Sequence, residues 1–399
     1  MRIDIVEVGP RDGLQNEAAM VPTDTKIAFI RRLAAAGARR IEVTSFVRPD
    51  RVPQLADAED VLAGIKDLQD VTVSALVFNE RGLQRARAAG VDEINLVLVA
   101  TDSFSLRNQG APVAAAVASS RKLAAQAHDL GMRVTLTVGA AWGCPFEGEV
   151  EPAQVLRIIE AFSGGAGFGG AGLGDGASLH GAGLHDAGLR DAGLRDAGLG
   201  GASLGDAASL RHGASLHDAS LRDAGLHGAS LRDAGLRGAS LGGASLGGGA
   251  SGGGGASGGG GGGFGGVDEV CLADTIGVGT PGRIAALIGA VREVTDRPIR
   301  CHFHNTRNSG YANAYAAIAA GAVALDASAG GIGGCPFAPR ATGNIATEDL
   351  AWALHRDGYE TGLSVKGLMD ATALVERTLG KQVPAQLGRT DPFPPEAAS

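Results

Sequence analysis

The sequence lacks the features of several common protein classes. It has four cysteines in 399 residues, which is too few for a disulfide framework. Its formal net charge is -8, whereas nucleic acids and anionic membranes select basic surfaces. No apolar run reaches the length of about 18 residues that a membrane-spanning helix needs. The composition therefore predicts a protein of a reducing compartment, the cytoplasm, with neither a nucleic acid nor a membrane as its partner.

One segment of the chain lacks many residue types altogether. From about Gly164 to Gly266 there is no Lys, Glu, Pro, Val, Ile, Thr, Tyr or Trp, although both flanks have an ordinary globular composition. The segment spans 103 of the 399 residues and leaves 296, close to the length of a single TIM barrel. We therefore expect residues 164–266 to be an insert between two parts of one barrel, residues 1–163 and residues 267–399, the second ending in helices.

The insert has a repeat of its own. Leucines recur every five residues from Leu184 to Leu204 and, after two six-residue steps, from Leu216 to Leu246. Nearly every unit reads Ala, then Ser or Gly, then Leu. This pattern resembles the pentapeptide-repeat family, whose members form a square β-solenoid, although that family usually has Asp or Asn before the leucine. An ordered solenoid and a disordered Gly-rich loop both remain open.

The flanks alternate strand-like and helix-like runs. Eight strand candidates, each followed by a helical region, predict a closed (β/α)8 barrel rather than a doubly wound open sheet. The first candidate starts at Ile3, so we expect no signal or transit peptide before it. The strand candidates are Ile3–Val8, Arg40–Thr44, Val71–Val77, Glu93–Val99, Arg133–Val138, Val267–Leu272, Ile299–Phe303 and Ala322–Ala327, and helical stretches include Thr25–Ala36, Val113–Leu130, Pro152–Phe162 and Pro281–Val294.

The position of the insert bears on function. It follows the helical stretch Pro152–Phe162 and precedes the strand candidate Val267–Leu272, so it occupies an αβ connection. In a TIM barrel these connections lie on the N-terminal face, whereas the chemistry lies on the opposite face. We therefore expect the active site to be preserved despite the insertion.

Two histidines lie two residues apart at the end of a strand candidate. Because residues i and i+2 of a strand point to the same face, His302 and His304 project together. Two convergent imidazoles suit a divalent metal completed by carboxylate and water. A pair of structural histidines is the alternative, but a polar pair on a barrel strand needs a partner, which favours ligands.

Charged residues also occur where the strand candidates end. Glu42 lies within an apolar run and Asp274 ends another, and a buried carboxylate is costly unless a cation or metal pairs with it. An exposed position at the barrel edge is the alternative for Asp274. Arg11 and Asp12 follow the first strand in a turn that would aim both over the barrel mouth, with a solvated ion pair as the alternative.

A Gly-rich segment follows the last strand candidate. It runs from Gly330 to Asn344 and contains one cysteine, Cys335. A lone cysteine in such a loop suggests a nucleophile or an acid/base group rather than a core residue. Contact of the loop with the pyrophosphate of a coenzyme A (CoA) group is a competing interpretation, since Gly-rich loops also bind phosphates.

Together these segments resemble the 3-hydroxy-3-methylglutaryl-CoA (HMG-CoA) lyase family, within the DRE-TIM metallolyase superfamily. The resemblance covers nearly all of the flanks, and its motifs occur in the family's order. They are Glu7–Glu17, Glu42–Val47, Ala273–Pro281, His302–His304 and the loop from Gly330 to Asp349.

The resemblance implies roles for individual residues and an acyl-CoA as the substrate. It implies a divalent cation, Mg²⁺ or Mn²⁺, and a homodimer. The implied reaction is a retro-Claisen-type cleavage of HMG-CoA to acetyl-CoA and acetoacetate. The implied metal ligands are Asp12, His302, His304 and Asn344; the catalytic residues are Arg11, Glu42, Asp274 and Cys335; the substrate-binding residues are Arg11, Gln15 and Gly334; Glu348 is a further polar residue near the site.

The chain departs from the family at the edge of the acyl pocket. Asn305 stands where the family commonly has Asp, and the run from Thr306 to Gly310 and the Phe337–Ala341 segment also differ. A different 3-hydroxyacyl-CoA is therefore also an expected substrate. Two alternatives remain: a Claisen-condensing synthase of the same superfamily, which usually has a C-terminal regulatory domain, and a non-catalytic barrel that carries the repeat segment.

Overall fold

The computed structural model describes residues 1–163, 265–334, 343–391 and 393. Within these residues, eight parallel strands form a closed barrel, in the order β1-β8-β7-β6-β5-β4-β3-β2. The predicted TIM barrel is therefore confirmed. The strands are β1 (Asp4–Glu7), β2 (Arg40–Ser45), β3 (Thr72–Leu76), β4 (Glu93–Val99), β5 (Arg133–Gly139), β6 (Glu269–Asp274), β7 (Ile299–Phe303) and β8 (Ala324–Ala327).

Helices surround the barrel, and four of them match the helical stretches named in the sequence analysis to within two residues at each end. In the stretch Pro152–Phe162, Glu151 and Gln154 form a capping box and Pro152 takes the first turn, where a missing N–H costs nothing. The described helices are α1 (Thr23–Ala35), α2 (Ala58–Ala63), α3 (Glu80–Ala88), α4 (Asp102–Gln109), α5 (Val113–Asp129), α6 (Pro152–Phe162), α7 (Pro281–Arg292), α8 (Gly310–Ala319), α9 (Thr347–Arg356) and α10 (Val365–Leu379).

One strand boundary differs from its prediction in a way that matters for the site. The sequence places the sixth strand at Val267–Leu272, but β6 begins at Glu269 and continues to Asp274, which pairs with Phe303 of β7. The apolar run ends before Asp274, so the local pattern leaves this carboxylate outside the strand. Asp274 is instead the last residue of a barrel strand, at the end where TIM-barrel chemistry takes place.

At the N-terminal ends of the strands, the barrel interior is ionic rather than apolar. Arg40 Nη2 lies 2.8 Å from Oε1 of Glu93 and 2.6 Å from Oε2 of Glu269. These three residues begin β2, β4 and β6, and Arg300 of β7 lies among them. Long charged side chains thus fill the N-terminal layer of the barrel with mutually neutralising groups, as burial of charge requires.

The described residues on either side of the insert lie close together. Helix α6 ends at Phe162, and a Cβ atom placed on Gly265 would lie 3.0 Å from the carbonyl oxygen of Phe162. Residues 164–264, which include nearly all of the predicted insert, lie outside the described residues. The described elements at either end nonetheless place the insertion in an αβ connection, between α6 and β6.

No helix of the described residues combines the length and the apolar character needed to cross a bilayer.

Candidate metal centre and active site

Three side chains that could bind a metal converge above the C-terminal ends of β1 and β7. Asp12 lies in a π-helical turn (Gly9–Gly13), in which Gly13 donates its N–H to the carbonyl of Val8 at 3.1 Å. One ligand atom each from Asp12, His302 and His304 lies within 4.8 Å of the other two. The two imidazole centroids are 5.1 Å apart. The structure thus brings together three of the four residues that the resemblance implies as ligands.

The two imidazoles have different surroundings. His302 Nδ1 lies 3.1 Å from Oδ2 of Asp326. Burial lowers the pKa of His302, but the hydrogen bond to Asp326 and the charge of Asp12 outweigh it, and the pKa is raised. Burial and the neighbouring His302 lower the pKa of His304 to about 4, so this imidazole is neutral at physiological pH.

The donor set fits a divalent cation. Among the described residues, no group accepts from or donates to His304 Nδ1, although this atom is buried. A buried ring nitrogen without a partner is costly, and a neutral imidazole has the lone pair that a metal needs. One carboxylate oxygen and two imidazole nitrogens are ligands that Mg²⁺, Mn²⁺ and related ions accept.

Arg11 is held beside this triad by two carboxylates. Its Nε and Nη2 lie 2.8 Å and 2.6 Å from Oε2 of Glu42, and its Nη1 donates to Oδ1 of Asp12 at 2.7 Å. Burial lowers the pKa of Arg11, but the charges of Glu42 and Asp12 outweigh it and raise the pKa. The guanidinium is therefore fixed and charged, which suits the stabilisation of an oxyanion.

Asn344 packs against the same aspartate. Its Nδ2 donates to Oδ2 of Asp12 at 2.9 Å and to the carbonyl of Ile332 at 3.0 Å. A Cβ atom on Gly333 would lie 2.6 Å from Asn344 Nδ2, and the φ of +116° at this residue is one that only glycine adopts without strain. The close approach of this loop to Asp12 therefore depends on glycine. The side-chain oxygen of Asn344 is the atom it could offer a metal.

The remaining implied substrate-binding residues lie close in sequence to residues of this cluster. Gln15 is partly buried just after the π-helical turn, and the carbonyl of Gly334 accepts a hydrogen bond from Asn16 Nδ2 at 2.6 Å. Cys335, with residues 336–342, lies outside the described residues. Its acid/base role stays a prediction.

Asp274 is buried at the end of β6, with 1% of its surface exposed. The alternative of an exposed edge carboxylate is therefore wrong. Its two oxygens accept hydrogen bonds from the N–H groups of Val278 and Gly279, both at 2.9 Å. Burial raises the pKa of Asp274, while these N–H groups and the charge of His302 oppose the rise. Asp274 thus lies within electrostatic range of the triad.

Two further carboxylates hold the backbone where the Gly-rich segment begins. Oε1 of Glu7 accepts from the N–H of Ala329 at 2.9 Å, and both oxygens of Glu348 accept from the N–H of Gly330, at 3.1 Å and 3.0 Å. Burial raises the pKa of each carboxyl to about 7. The two side chains therefore fix the start of the segment that returns to the site at Asn344.

Sequence reasoning missed Asp326, Asn95 and the position of Glu7. Asn95 donates to Oε1 of Glu42 at 3.0 Å and so orients the partner of Arg11. Each of the three is a polar residue inside an apolar strand, the same signal that identified Glu42. Applied to every strand candidate, this signal would have found them.

Comparison with protein families shows two matches. A family model described as HMGL-like matches residues 2–171 and 264–375. A family model described as pentapeptide repeats matches residues 212–248 in eight copies. The first covers most of the barrel strands and helices, and the second falls within the insert.

Individual relatives match over nearly the whole chain. An (R)-citramalyl-CoA lyase of Chloroflexus aurantiacus is 31% identical, over 100% of this chain and 97% of the relative. The crystal structure of an HMG-CoA lyase of Bacillus subtilis has a TM-score of 0.70 and 26% identity, covering 96% of each chain. An HMG-CoA lyase of Acinetobacter baumannii, solved in complex with coenzyme A and 3-methylmalate, has a TM-score of 0.69 and 27% identity, covering 98% of each chain.

Proposed function

The chain belongs to the HMGL-like family and is a carbon–carbon lyase, and we propose that its substrate is the CoA thioester of a dicarboxylic acid with a hydroxyl and a methyl group on C3, counted from the thioester, and that it breaks the C2–C3 bond. HMG-CoA would yield acetyl-CoA and acetoacetate, and citramalyl-CoA would yield acetyl-CoA and pyruvate. The two substrates differ by one methylene group between the hydroxyl-bearing carbon and the carboxylate. The observation that supports the proposal is the triad of Asp12, His302 and His304 with Arg11 held against Asp12.

A divalent cation, Mg²⁺ or Mn²⁺, would be held by Asp12, His302 and His304, with Asn344 as a fourth ligand. When bound, it supplies Lewis-acid polarisation of substrate oxygens. Asp12 is suited to this position because it is ionised: burial opposes ionisation, but Arg11 and the two histidines lower its pKa to about 2.

Cleavage requires a base and an acid. The base removes the proton of the 3-hydroxyl, a carbonyl forms there, and the electrons of the broken C2–C3 bond pass to the acetyl-CoA enolate. The acid then protonates C2. We assign the base to Asp274, whose raised pKa makes it a stronger acceptor, and the acid to Cys335.

Arg11 has the third role. The enolate carries negative charge on the thioester oxygen, and a fixed guanidinium stabilises that charge without reorganisation. Glu42 holds Arg11 from the side opposite Asp12, and Asn95 in turn holds Glu42. The guanidinium of Arg11 is therefore held in place by side chains of two barrel strands, β2 and β4, although Arg11 itself lies in a turn.

Both HMG-CoA and citramalyl-CoA are candidates for the substrate, and they differ in the acyl group. Arg307, in the run where the chain departs from the family, donates from Nη1 to the carbonyls of Ile276 and Gly277. It thereby joins the loops that follow β6 and β7, at the mouth of the barrel. A cation at this position could alter how the terminal carboxylate of the substrate is received, so both substrates need to be assayed.

The test is acetyl-CoA release by the purified protein from HMG-CoA and, separately, from each enantiomer of citramalyl-CoA. Each assay is run after chelation and again after addition of Mg²⁺ or Mn²⁺. We expect turnover of at least one substrate only with the metal. Metal-independent turnover would contradict the mechanism, and release of acetyl-CoA from neither substrate would contradict the substrate class. Light scattering of the same sample tests the proposed homodimer.

A further inference from the structure

Asp326 connects one of the histidines to the ionic interior of the barrel. It lies in β8 and is 5% exposed. Its Oδ2 is 3.1 Å from His302 Nδ1 and 3.9 Å from the thiol of Cys271, and its Oδ1 is 3.2 Å from Arg300 Nε. The contact with Arg300 is an ion pair whose N–H direction falls outside hydrogen-bond geometry. One carboxylate oxygen of Asp326 therefore pairs with Arg300, and the other contacts His302.

The charges below Asp326 are already balanced without it. Arg40 contacts both Glu93 and Glu269, and Arg300 Nη1 lies 3.7 Å and 3.5 Å from the same two carboxylates. Two buried arginines thus face two buried glutamates, and the half-exposed Asp4 and Arg133, which pair with Arg40 and Glu93, add one charge of each sign. Asp326 adds a third buried carboxylate to this group, and a buried carboxylate in excess is costly unless a further partner compensates it. His302 is the partner on the other side.

We propose that Asp326 is a positioning residue that fixes the ring orientation and tautomer of His302 for metal binding. With Nδ1 directed at the carboxylate, Nδ1 carries the proton and Nε2 is left as the ligand atom. Arg300 holds the other oxygen of Asp326 and so keeps the carboxylate from rotating. This inference rests on the proposed metal-dependent function.

His304 provides an internal comparison. Its Nδ1 has no partner among the residues that the structure describes, so no carboxylate holds that nitrogen as Asp326 holds Nδ1 of His302. A carboxylate on the neighbouring strand therefore orients the ring of His302, whereas Nδ1 of His304 has no such support. Loss of Asp326 should weaken metal binding through His302 alone, which makes the expected effect partial rather than complete.

The test measures Mn²⁺ affinity directly, from the electron paramagnetic resonance signal of free Mn²⁺, without substrate. We expect Asp326→Ala to raise the Kd about 10- to 100-fold, the usual loss for a carboxylate behind a metal-bound histidine. Asp326→Asn, which keeps an oxygen able to accept from Nδ1, should recover most of the affinity. The matched control is Glu269→Gln, which also removes a buried carboxylate from the ionic layer but has no contact with His302; its Kd should stay within about threefold.

The outcomes separate this inference from the proposed function. If the wild-type protein does not bind Mn²⁺, the proposed function fails. If it binds, and folded Asp326→Ala binds equally well, or Glu269→Gln weakens binding as much, the positioning role is wrong. Should Asp326→Ala not fold, nitrogen-15 NMR of the wild-type histidines decides, at a pH where the His302 ring is neutral. The His302 resonance, identified by its loss in His302→Gln, should show the single ring proton on Nδ1, and a single proton on Nε2 would overturn the proposal.

Discussion

Glu7 and Glu348 accept hydrogen bonds from consecutive backbone N–H groups, those of Ala329 and Gly330. Glu7 also accepts from the hydroxyl of Thr347, the residue before Glu348. Burial is the largest cause of the raised pKa of both carboxyls, and the charge of Glu348 adds to the rise at Glu7. The segment that leads to Cys335 is thus anchored by two carboxyls that are partly protonated near neutral pH.

This pair predicts a specific dependence of stability on pH. The folded-state pKa of each carboxyl is about 7, above the ordinary value of 4.5, so the folded state binds protons more tightly than the unfolded state. The resulting stabilisation is complete below about pH 4.5 and is lost as the pH rises through about 7. It amounts to up to about 3 kcal/mol for each group.

Glu7→Gln, which keeps the acceptor for the N–H groups but cannot ionise, should remove the contribution of Glu7 to this dependence. Denaturant unfolding of both proteins at pH 5, 6, 7 and 8 measures it. The free energy of unfolding of the wild type relative to Glu7→Gln should fall as the pH rises from 5 to 8. The control is Glu59→Gln on α2, where the carboxylate pairs with Arg85 at the surface and its pKa is lowered, so its profile should follow the wild type. A constant difference between wild type and Glu7→Gln would contradict the raised pKa.

The sequence predicted the barrel well because its apolar runs are regular. His302 and His304 could be placed because strand geometry alone puts residues i and i+2 on one face. Asp326 stands out in the sequence only as a polar residue in an apolar strand; its role could not be predicted, since it depends on His302 and Arg300 of the neighbouring strand, and pairing between strands is not visible in a local pattern. The end of β6 was misplaced for a related reason: pairing with Phe303, not apolarity, carries that strand to Asp274.

Removal of one histidine should separate metal binding from folding. His304→Ala should abolish Mn²⁺ binding and acetyl-CoA release, because it removes one of three converging ligands, while the thermal unfolding midpoint of the metal-free protein stays close to that of the wild type. His355→Ala, on α9 and away from the triad, is the matched control and should keep both Mn²⁺ binding and acetyl-CoA release. Full Mn²⁺ affinity in His304→Ala would remove this residue from the metal site.

Replacement of Arg11 tests the oxyanion role. Lysine keeps the charge but cannot contact Glu42 and Asp12 together as the guanidinium does. Arg11→Lys should therefore lower kcat by about 10² to 10³ with a small change in KM, the usual cost of one lost oxyanion donor. Arg31→Lys, in an exposed pair with Asp67, is the control and should retain wild-type kinetics. An unchanged kcat in Arg11→Lys would show that the cation does not act on the transition state.

Deletion of the insert tests its position. On the two sides of the undescribed residues, Gly265 lies close to Phe162, since a Cβ atom on Gly265 would be 3.0 Å from the carbonyl oxygen of Phe162. Gly265 and Gly266 both have positive φ and should be retained, so the deletion removes residues 164–264 and joins the ends through a short Gly/Ser turn. Because the junction lies on the face opposite the triad, kcat should stay within about tenfold of the wild type. A folded but inactive deletion protein would contradict the placement.

The last prediction concerns Cys335, which directly follows the described Gly334. Asn16 holds the carbonyl of Gly334, so the peptide that leads into Cys335 starts at the edge of the site. If its thiol is the acid that protonates the enolate, Cys335→Ala should cut kcat by about 10² to 10⁴, with little change in KM. Cys335→Ser, with a far less acidic hydroxyl, should recover little of this loss.

Thiol alkylation gives an independent measurement of the same role. Cys144, Cys271 and Cys301 are buried, and burial raises the pKa of Cys271 to about 12, so these thiols should react slowly in the folded protein. Alkylation should therefore inactivate the wild type by modifying one cysteine, with protection by a bound acyl-CoA, and Cys335→Ala should resist further inactivation. Full lyase activity in Cys335→Ala, or inactivation of the wild type through another cysteine, would exclude the thiol from the reaction. We would then assign the proton donor to Asp274, which takes up the proton of the 3-hydroxyl in the proposed reaction and lies buried within electrostatic range of His302.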